Sequence, residues 1–174
     1  MDVLALLNEK FFLGQEFLTW LWYVSEREGV VELPDGRQVE VMLGDKLVLG
    51  PAQGQEGTRV SVRGREASLA EARQALRRGK LVEGLRLGLM IDGEEFWCTL
   101  GAAELGLSAL KLPPTAPAEG APEGLDGLVL ERVALIGAAM KALEGLLLVF
   151  LRGRLADEKG GQLWESLRDW AAGS

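Results

Sequence analysis

The side chains that most often carry out catalysis are scarce in this sequence. The chain contains no histidine, which excludes imidazole bases, histidine metal ligands and every serine–histidine or cysteine–histidine pair. Its single cysteine, Cys98, excludes an intrachain disulfide and a multi-cysteine zinc site. The paired carboxylates Glu94-Glu95 and Asp157-Glu158 lie in turn-like stretches without an apolar pattern around them. The sequence therefore predicts no enzymatic activity, no cofactor and no metal.

Basic side chains are concentrated between Arg59 and Arg86. This segment holds eight basic residues and three acidic ones, a net charge of +5 in a chain of net charge −7. A cationic surface of this kind binds phosphates without reading base sequence. Local charge nominates Arg63, Arg65 and Arg73 as nucleic-acid-binding residues, and a solvated helix face is the alternative explanation.

The candidate residues must be positioned by the elements that precede and follow them. A helix beginning near Ser68 is expected to end at Gly79, just after Arg77 and Arg78, where cations favour the helix dipole. These arginines and Lys80 therefore also have a purely structural explanation.

The opening helix is the expected centre of the fold. Its apolar residues follow helical spacing and predict one buried stripe: Leu13, Phe17, Trp20, Leu21 and Val24. A thin polar line that includes Gln15, Thr19 and Glu26 runs opposite. Gly14 is costly in a helix interior, which indicates close approach by another part of the backbone.

Short alternating segments predict a mainly antiparallel sheet. Two turn signals indicate hairpins, Pro34-Asp35-Gly36 and Asp92-Gly93, and Gly44-Asp45 predicts a further turn. In the strand after Asp92-Gly93, Phe96 and Cys98 fall on one face and Trp97 on the other. The expected class is α+β, with a long N-terminal helix, a crossing helix and C-terminal helices.

The domain organisation follows from composition. Residues 1–112 form the predicted α+β domain, 113–127 a linker rich in proline, alanine and glycine, and 128–174 C-terminal helices that pack on the domain. A second long helix from about Leu128 to Arg152 carries an apolar stripe: Val129, Val133, Ile136, Met140, Leu143, Leu147 and Phe150. A short final helix places Trp164, Leu167 and Trp170 inside.

No signal peptide is recognised, and the run Gly145 to Leu151 is too short to span a bilayer. A cytoplasmic protein without a membrane partner is expected.

Several of these features resemble the recombination-associated protein RdgC family. The resemblance rests on the block from Ser68 to Leu87, in which a helix bearing Glu71 precedes Gly79-Lys80-Leu81-Val82 and a strand. A hairpin ending in Leu110-Lys111-Leu112, the long apolar helix, and the opening segment from Phe12 to Trp22 are also similar. The resemblance covers most of the chain in the order of the family's C-terminal half.

The resemblance implies a non-catalytic protein that forms a ring-shaped homodimer around duplex DNA, binds it with little sequence preference and restrains a recombinase. It assigns a basic family position to Lys80, flanked by Arg77 and Arg78. The family's N-terminal half is absent from this sequence, which puts ring closure around DNA in doubt. The alternative hypothesis is a protein–protein adaptor with the same fold and no DNA binding, consistent with the net charge of −7. A carboxylate-dependent nuclease is the more distant alternative.

Self-association is expected from the resemblance more than from the residue pattern, and the second long helix offers the apolar surface for it. The C-terminal tryptophans Trp164 and Trp170 offer the alternative of covering its apolar surface within one chain.

Overall fold

A computed structural model describes residues 11–52, 55–64, 67–115, 125–155 and 161–173. The α+β class is confirmed, since these ranges hold four helices and six strands. In chain order the elements are α1 (Phe11–Arg27), β1 (Val30–Glu32), β2 (Gln38–Pro51), β3 (Val60–Arg63), α2 (Ala67–Arg77), β4 (Lys80–Ile91), β5 (Glu94–Gly101), a 3₁₀ turn (Ala103–Leu105), β6 (Leu107–Lys111), α3 (Leu125–Leu155) and α4 (Gly161–Ala172).

The six strands form one antiparallel sheet with the order β1-β2-β4-β5-β6. Strand β3 also pairs with β2, along Lys46 to Leu49, while β1 pairs with the opposite end of β2. The predicted hairpin at Asp92-Gly93 is confirmed, and both residues have positive φ, 51° and 84°. Such a pair is typical of the tight turns that join twisted strands.

The predicted turn at Gly44-Asp45 is wrong, because β2 continues through it as one strand of 14 residues. The pairing with β4 instead shifts between Leu43, opposite Leu87, and Leu47, opposite Leu85. Two extra residues of β2 are therefore accommodated in a bulge. A Cβ at Gly44 would lie 2.8 Å from Cγ of Arg86, so the glycine lets that side chain cross the bulge.

Helix α1 packs on the central strands β2 and β4. Four members of its predicted stripe are buried, namely Phe17, Trp20, Leu21 and Val24, and Leu13 is half-buried. The rings of Phe17 and Trp20 both contact Phe150 of α3, with centroids 5.5 and 5.7 Å away. The opening helix is the centre of the core, as the sequence predicts.

The polar side of α1 is buried too, in keeping with a helix that is apolar around most of its surface. Gln15 is 0% exposed and donates its amide to the Pro51 carbonyl at 2.9 Å. The Thr19 hydroxyl donates to the Gln15 carbonyl at 2.7 Å and accepts from the Val82 amide at 3.1 Å. The hydrogen bonds of the Gln15 Nε2 group and the Thr19 hydroxyl offset part of the cost of burying them, whereas Oε1 of Gln15 is buried without a partner among the described residues. Helix α1 is therefore enclosed on both sides.

Glu26 connects three helices at the other end of α1. Its carboxylate accepts hydrogen bonds from the indoles of Trp22 at 2.7 Å and Trp170 at 3.0 Å. It also pairs with Arg73 of α2. The ring of Trp170 packs edge-on against Trp22 at 4.9 Å and against Tyr23 at 5.5 Å. These contacts fix α4 against α1 and α2.

Candidate functional site

The long helix α3 divides into a packed half and an exposed half. The packed half presents Ala139, Ala142, Leu146 and Phe150, all at most 1% exposed. At Gly145, an added Cβ would lie 3.0 Å from the Leu33 side chain, so the helix approaches the domain closely there. This half of α3 is part of the hydrophobic core.

The N-terminal half of α3 leaves large apolar side chains in solvent. Their exposed fractions are 38% for Leu128, 54% for Val129, 70% for Leu130, 59% for Val133, 42% for Ile136 and 48% for Met140. Single exposed apolar residues are ordinary on a protein surface, whereas Val129, Val133, Ile136 and Met140 share one face of the helix and together mark an interaction surface, with Leu128 and Leu130 on either side of it. We call these six residues the α3 patch.

The predicted stripe of α3 is therefore only partly internal, which corrects the sequence interpretation. Its members are spaced alternately by four and three residues, a repeat of seven. A straight helix drifts by about 20° per seven-residue repeat, so such a stripe winds around it. Phe150 faces the core, Leu143 and Leu147 are half-buried, and Val129 and Val133 are exposed. Leu128, which lies at the same angle around the helix as the buried Leu146, is also exposed, so the domain leaves this half of α3 uncovered. A seven-residue repeat is the pattern by which one helix packs against another in a coiled coil.

Charges cancel along the α3 patch from Glu131 onwards. The exposed charged residues from there to Glu144 are Glu131, Arg132, Lys141 and Glu144, two of each sign, while the side chain of Asp126, before the patch, lies outside the described residues. The chain as a whole carries −7. The patch is thus a neutral apolar surface on an acidic protein, and two such surfaces meet without local repulsion.

The C-terminal tryptophans were the alternative cover for this surface. Trp170 packs on Trp22 and Tyr23 of α1, and so it does not serve that purpose. The side chain of Trp164 lies outside the described residues.

Several of the predicted nucleic-acid-binding residues make contacts within the chain. Arg73 pairs with Glu26, and Nε of Arg77 donates to the Ala171 carbonyl at 2.7 Å. Nζ of Lys80 donates to the Thr58 carbonyl. These contacts tie α2 and β4 to α1, to α4 and to the segment before β3, and so they favour the structural explanation of these cations.

The other three candidates are placed differently. Arg78 is exposed just after α2, where its amide closes the last turn on Gln74 and Ala75. Arg63 is exposed on β3, in register with Lys46 of β2. Arg65 lies outside the described residues. The structure does not bring the described candidates into one cluster on α2.

A second basic group lies on the face of the sheet opposite α1, which we call the open face. Arg86 of β4 lies 3.7 Å from Asp45, and its guanidinium carbon is 5.7 Å from the centre of the Trp97 ring. Lys111 pairs in register with Trp97. A hollow of about 380 Å³ is bounded by Arg86, Trp97, Lys111 and the Gly44-Asp45 bulge. Arg86 belongs to the basic segment from Arg59 to Arg86 but was not predicted to bind nucleic acid, and Lys111 lies outside that segment. The sequence feature that could have identified both residues is their position on the strand face that carries Trp97.

The candidate catalytic groups do not form a reaction centre in the described part of the chain. Glu94 and Glu95 are exposed at the β4–β5 hairpin, while Asp157 and Glu158 lie outside the described residues. Within the described ranges, no group of three or more Cys, Asp or Glu is placed to hold a metal ion. Burial raises the pKa of Cys98 to about 11, so its thiol stays protonated at neutral pH.

Helix α3 has a segment, Gly127–Leu155, that is long and apolar enough to cross a membrane, with a mean hydropathy of 2.0. Its second half packs against α1 and the sheet through residues such as Leu146 and Phe150. Insertion into a bilayer would remove these side chains from the core, which favours a role for α3 within the folded domain.

Comparison of the chain with protein families, with curated proteins and with solved structures finds no match. The class defined by the fold and its surfaces is an α+β domain with an exposed apolar helix. The resemblance to the RdgC family stays a prediction.

Proposed function

We propose that this chain is a non-catalytic protein-association module in which the α3 patch pairs with the same patch of a second copy. The observation that carries the proposal is the exposure of six large apolar side chains on one half of a helix whose other half is core. Water contact with such a surface is unfavourable, and covering it releases free energy in proportion to the apolar area.

The size of the α3 patch suits a modest homodimer. Six side chains exposed by 38% to 70% present on the order of 500 Å² of apolar surface, at the upper end for a typical monomer. Two copies would cover at most on the order of 1,000 Å², near the lower limit for a specific interface. The seven-residue repeat supplies interlocking side chains, and the balanced charges make the surface compatible with itself.

Sedimentation equilibrium tests the proposal with two matched variants. Val133→Glu places a charge in the α3 patch, while Val30→Glu makes the same change on β1 at a similarly exposed position, 43% against 59%. We expect wild type and Val30→Glu to dimerise at micromolar concentration and Val133→Glu to be monomeric. A wild-type chain that stays monomeric at millimolar concentration, or equal effects of both variants, would contradict the proposal.

Duplex DNA binding, together with the recombinase partner that the resemblance implies, is the second candidate function. The observation that favours it is the group of cations on the open face, Lys46, Arg63, Arg86 and Lys111, beside the partly exposed Trp97. Two acids lie among them, since Asp45 pairs with Arg86 and Glu95 accepts from the Trp97 indole, so phosphates would have to displace these contacts. Neutralising about four phosphates predicts a log–log salt slope near −3.6 for affinity.

Two triple variants separate the possible DNA surfaces. Alanine at Lys46, Arg86 and Lys111 should flatten the salt slope by up to about 3 if the open face binds phosphates. Alanine at Arg77, Arg78 and Lys80 should do so if the sequence-nominated residues bind them. A helix-end role for the second group predicts instead unchanged affinity and a stability loss of about 0.3–1 kcal/mol per charge. Absence of binding by the wild type at low salt would eliminate this candidate.

A further inference from the structure

A cavity separate from the α3 patch lies between the end of α2, the start of β4 and helix α4. Its volume is about 300 Å³, and its walls include Leu76, Leu81, Leu167 and Ala171. Leu167 and Ala171 are buried. Thr19 also contributes to the wall, but its hydroxyl is already bonded to the Gln15 carbonyl and the Val82 amide. The interior is therefore predominantly apolar.

Two cations from different elements line the same cavity. Lys80 is the first residue of β4 and is half-buried. One N–H of its ammonium donates to the Thr58 carbonyl, and the other two can donate to a ligand. Arg168 belongs to α4 and is exposed. Among the described residues that line the cavity, none carries a negative charge. Both long side chains can keep their charges in water while their stems contact apolar surface.

We propose that this cavity binds a small amphiphile, a short aliphatic chain that ends in a carboxylate. A volume of about 300 Å³ is at the lower end for a small-molecule pocket and suits a chain such as that of octanoate. The walls select the aliphatic chain, and Lys80 and Arg168 select the charge of its terminal group. A pocket with apolar walls and a few placed polar groups is the usual form of a small-molecule site.

The direct test is titration of the full chain with octanoate, followed by NMR chemical shifts. Octanol keeps the length without the charge, and butyrate keeps the charge without the length. We expect saturable one-to-one binding of octanoate and no saturation with butyrate. Octanol should bind more weakly than octanoate, by about two- to fivefold for each of the two cations that loses its charged partner on the ligand. Equal affinity for octanol would overturn the role of the cations, and absence of saturable octanoate binding would overturn the site.

Variants locate the binding. Lys80→Gln and Arg168→Gln should each weaken octanoate by about two- to fivefold and leave octanol unchanged, whereas Arg152→Gln, at an exposed position of α3, should change neither. Ala171→Leu and Leu81→Phe fill the cavity from opposite walls and should abolish binding of both ligands. Circular dichroism checks that each is folded. Undiminished octanoate binding by either folded variant would place the ligand elsewhere.

Discussion

At Gly14, the requirement for glycine comes from a neighbour rather than from backbone conformation. An added Cβ would collide with the Ala102 carbonyl, at the turn between β5 and β6. Gly14 thereby lets α1 lie directly against the backbone that leaves the sheet. The sequence indicated a close approach at Gly14, but only the fold identifies Ala102.

Gly14→Ala is expected to destabilise the chain by about 1–3 kcal/mol, because overpacking against a fixed carbonyl outweighs the gain in helix propensity. The matched control is Gly137→Ala in α3, where an added Cβ meets nothing within 4 Å. That change should stabilise by up to about 1 kcal/mol through helix propensity alone. Urea unfolding of both variants measures the difference, and equal stabilisation by both would refute the contact with Ala102.

Glu16 is the buried acid of α1. Only 8% of the residue is exposed, and Nε of Arg154 lies 3.1 Å from its carboxylate. Burial raises the pKa of Glu16 above its usual value, and the hydrogen bond and charge of Arg154 offset only part of that rise. Since the folded state holds the proton more tightly than the unfolded chain, ionisation of Glu16 lowers stability as the pH rises through the folded pKa.

Glu16→Gln keeps the side chain neutral at every pH. We expect the variant to be at least as stable as wild type at pH 7, with the difference vanishing below about pH 4, where Glu16 is protonated in both states. Denaturant unfolding of both proteins at several pH values measures this gap. A variant that is less stable at pH 7 and recovers at acid pH would show that the ion pair with Arg154 outweighs desolvation.

At the scale of elements, the sequence predicts what depends on neighbouring residues. The apolar spacing of α1 and the Asp92-Gly93 turn each contain their own signal, and both predictions are confirmed. The bulge of β2 depends instead on the register of another strand, with Leu47 opposite Leu85. Glycine followed by aspartate is common both in turns and in bulges. The sequence alone therefore predicted a turn at Gly44-Asp45, where the structure has a bulge.

The burial of helix α3 was likewise only partly predictable from its sequence. Its seven-residue repeat correctly indicates an apolar stripe, but the sequence does not tell how much of that stripe the domain covers. In the structure Phe150 is 1% exposed, whereas Val129 and Val133 are more than half exposed. The buried positions Ala139 and Ala142 lie outside the predicted stripe. Small residues there allow the helix to approach the sheet closely.

Candidate cations were hardest to assign from sequence, since charge alone does not distinguish a solvent-facing arginine from a structural one. Arg77 is bound to the end of α4, 94 residues away in sequence. Lys80 similarly contacts Thr58, which precedes β3. Only the packing of distant segments shows that these side chains have partners within the chain.

For the whole molecule, charge separates the two candidate functions. The chain carries −7, whereas the α3 patch is apolar and its surrounding charges cancel. Association through the patch rests on the hydrophobic effect, which salt does not screen. Binding of DNA by the open face rests on counterion release and weakens steeply with salt.

We therefore expect the dimer dissociation constant to change little, and not to rise, between 0.05 and 1 M sodium chloride. Salt also screens the repulsion between two chains of net charge −7, which favours the dimer and keeps the dissociation constant from rising. Because dimerisation stabilises only the folded chain, the melting temperature should also rise with protein concentration. Val133→Glu should remove that concentration dependence, while Val30→Glu should keep it. Sedimentation equilibrium at both salt concentrations and calorimetry over a hundredfold range of protein concentration measure these effects. A dimer that dissociates at high salt would place the interface on charged residues instead of the α3 patch.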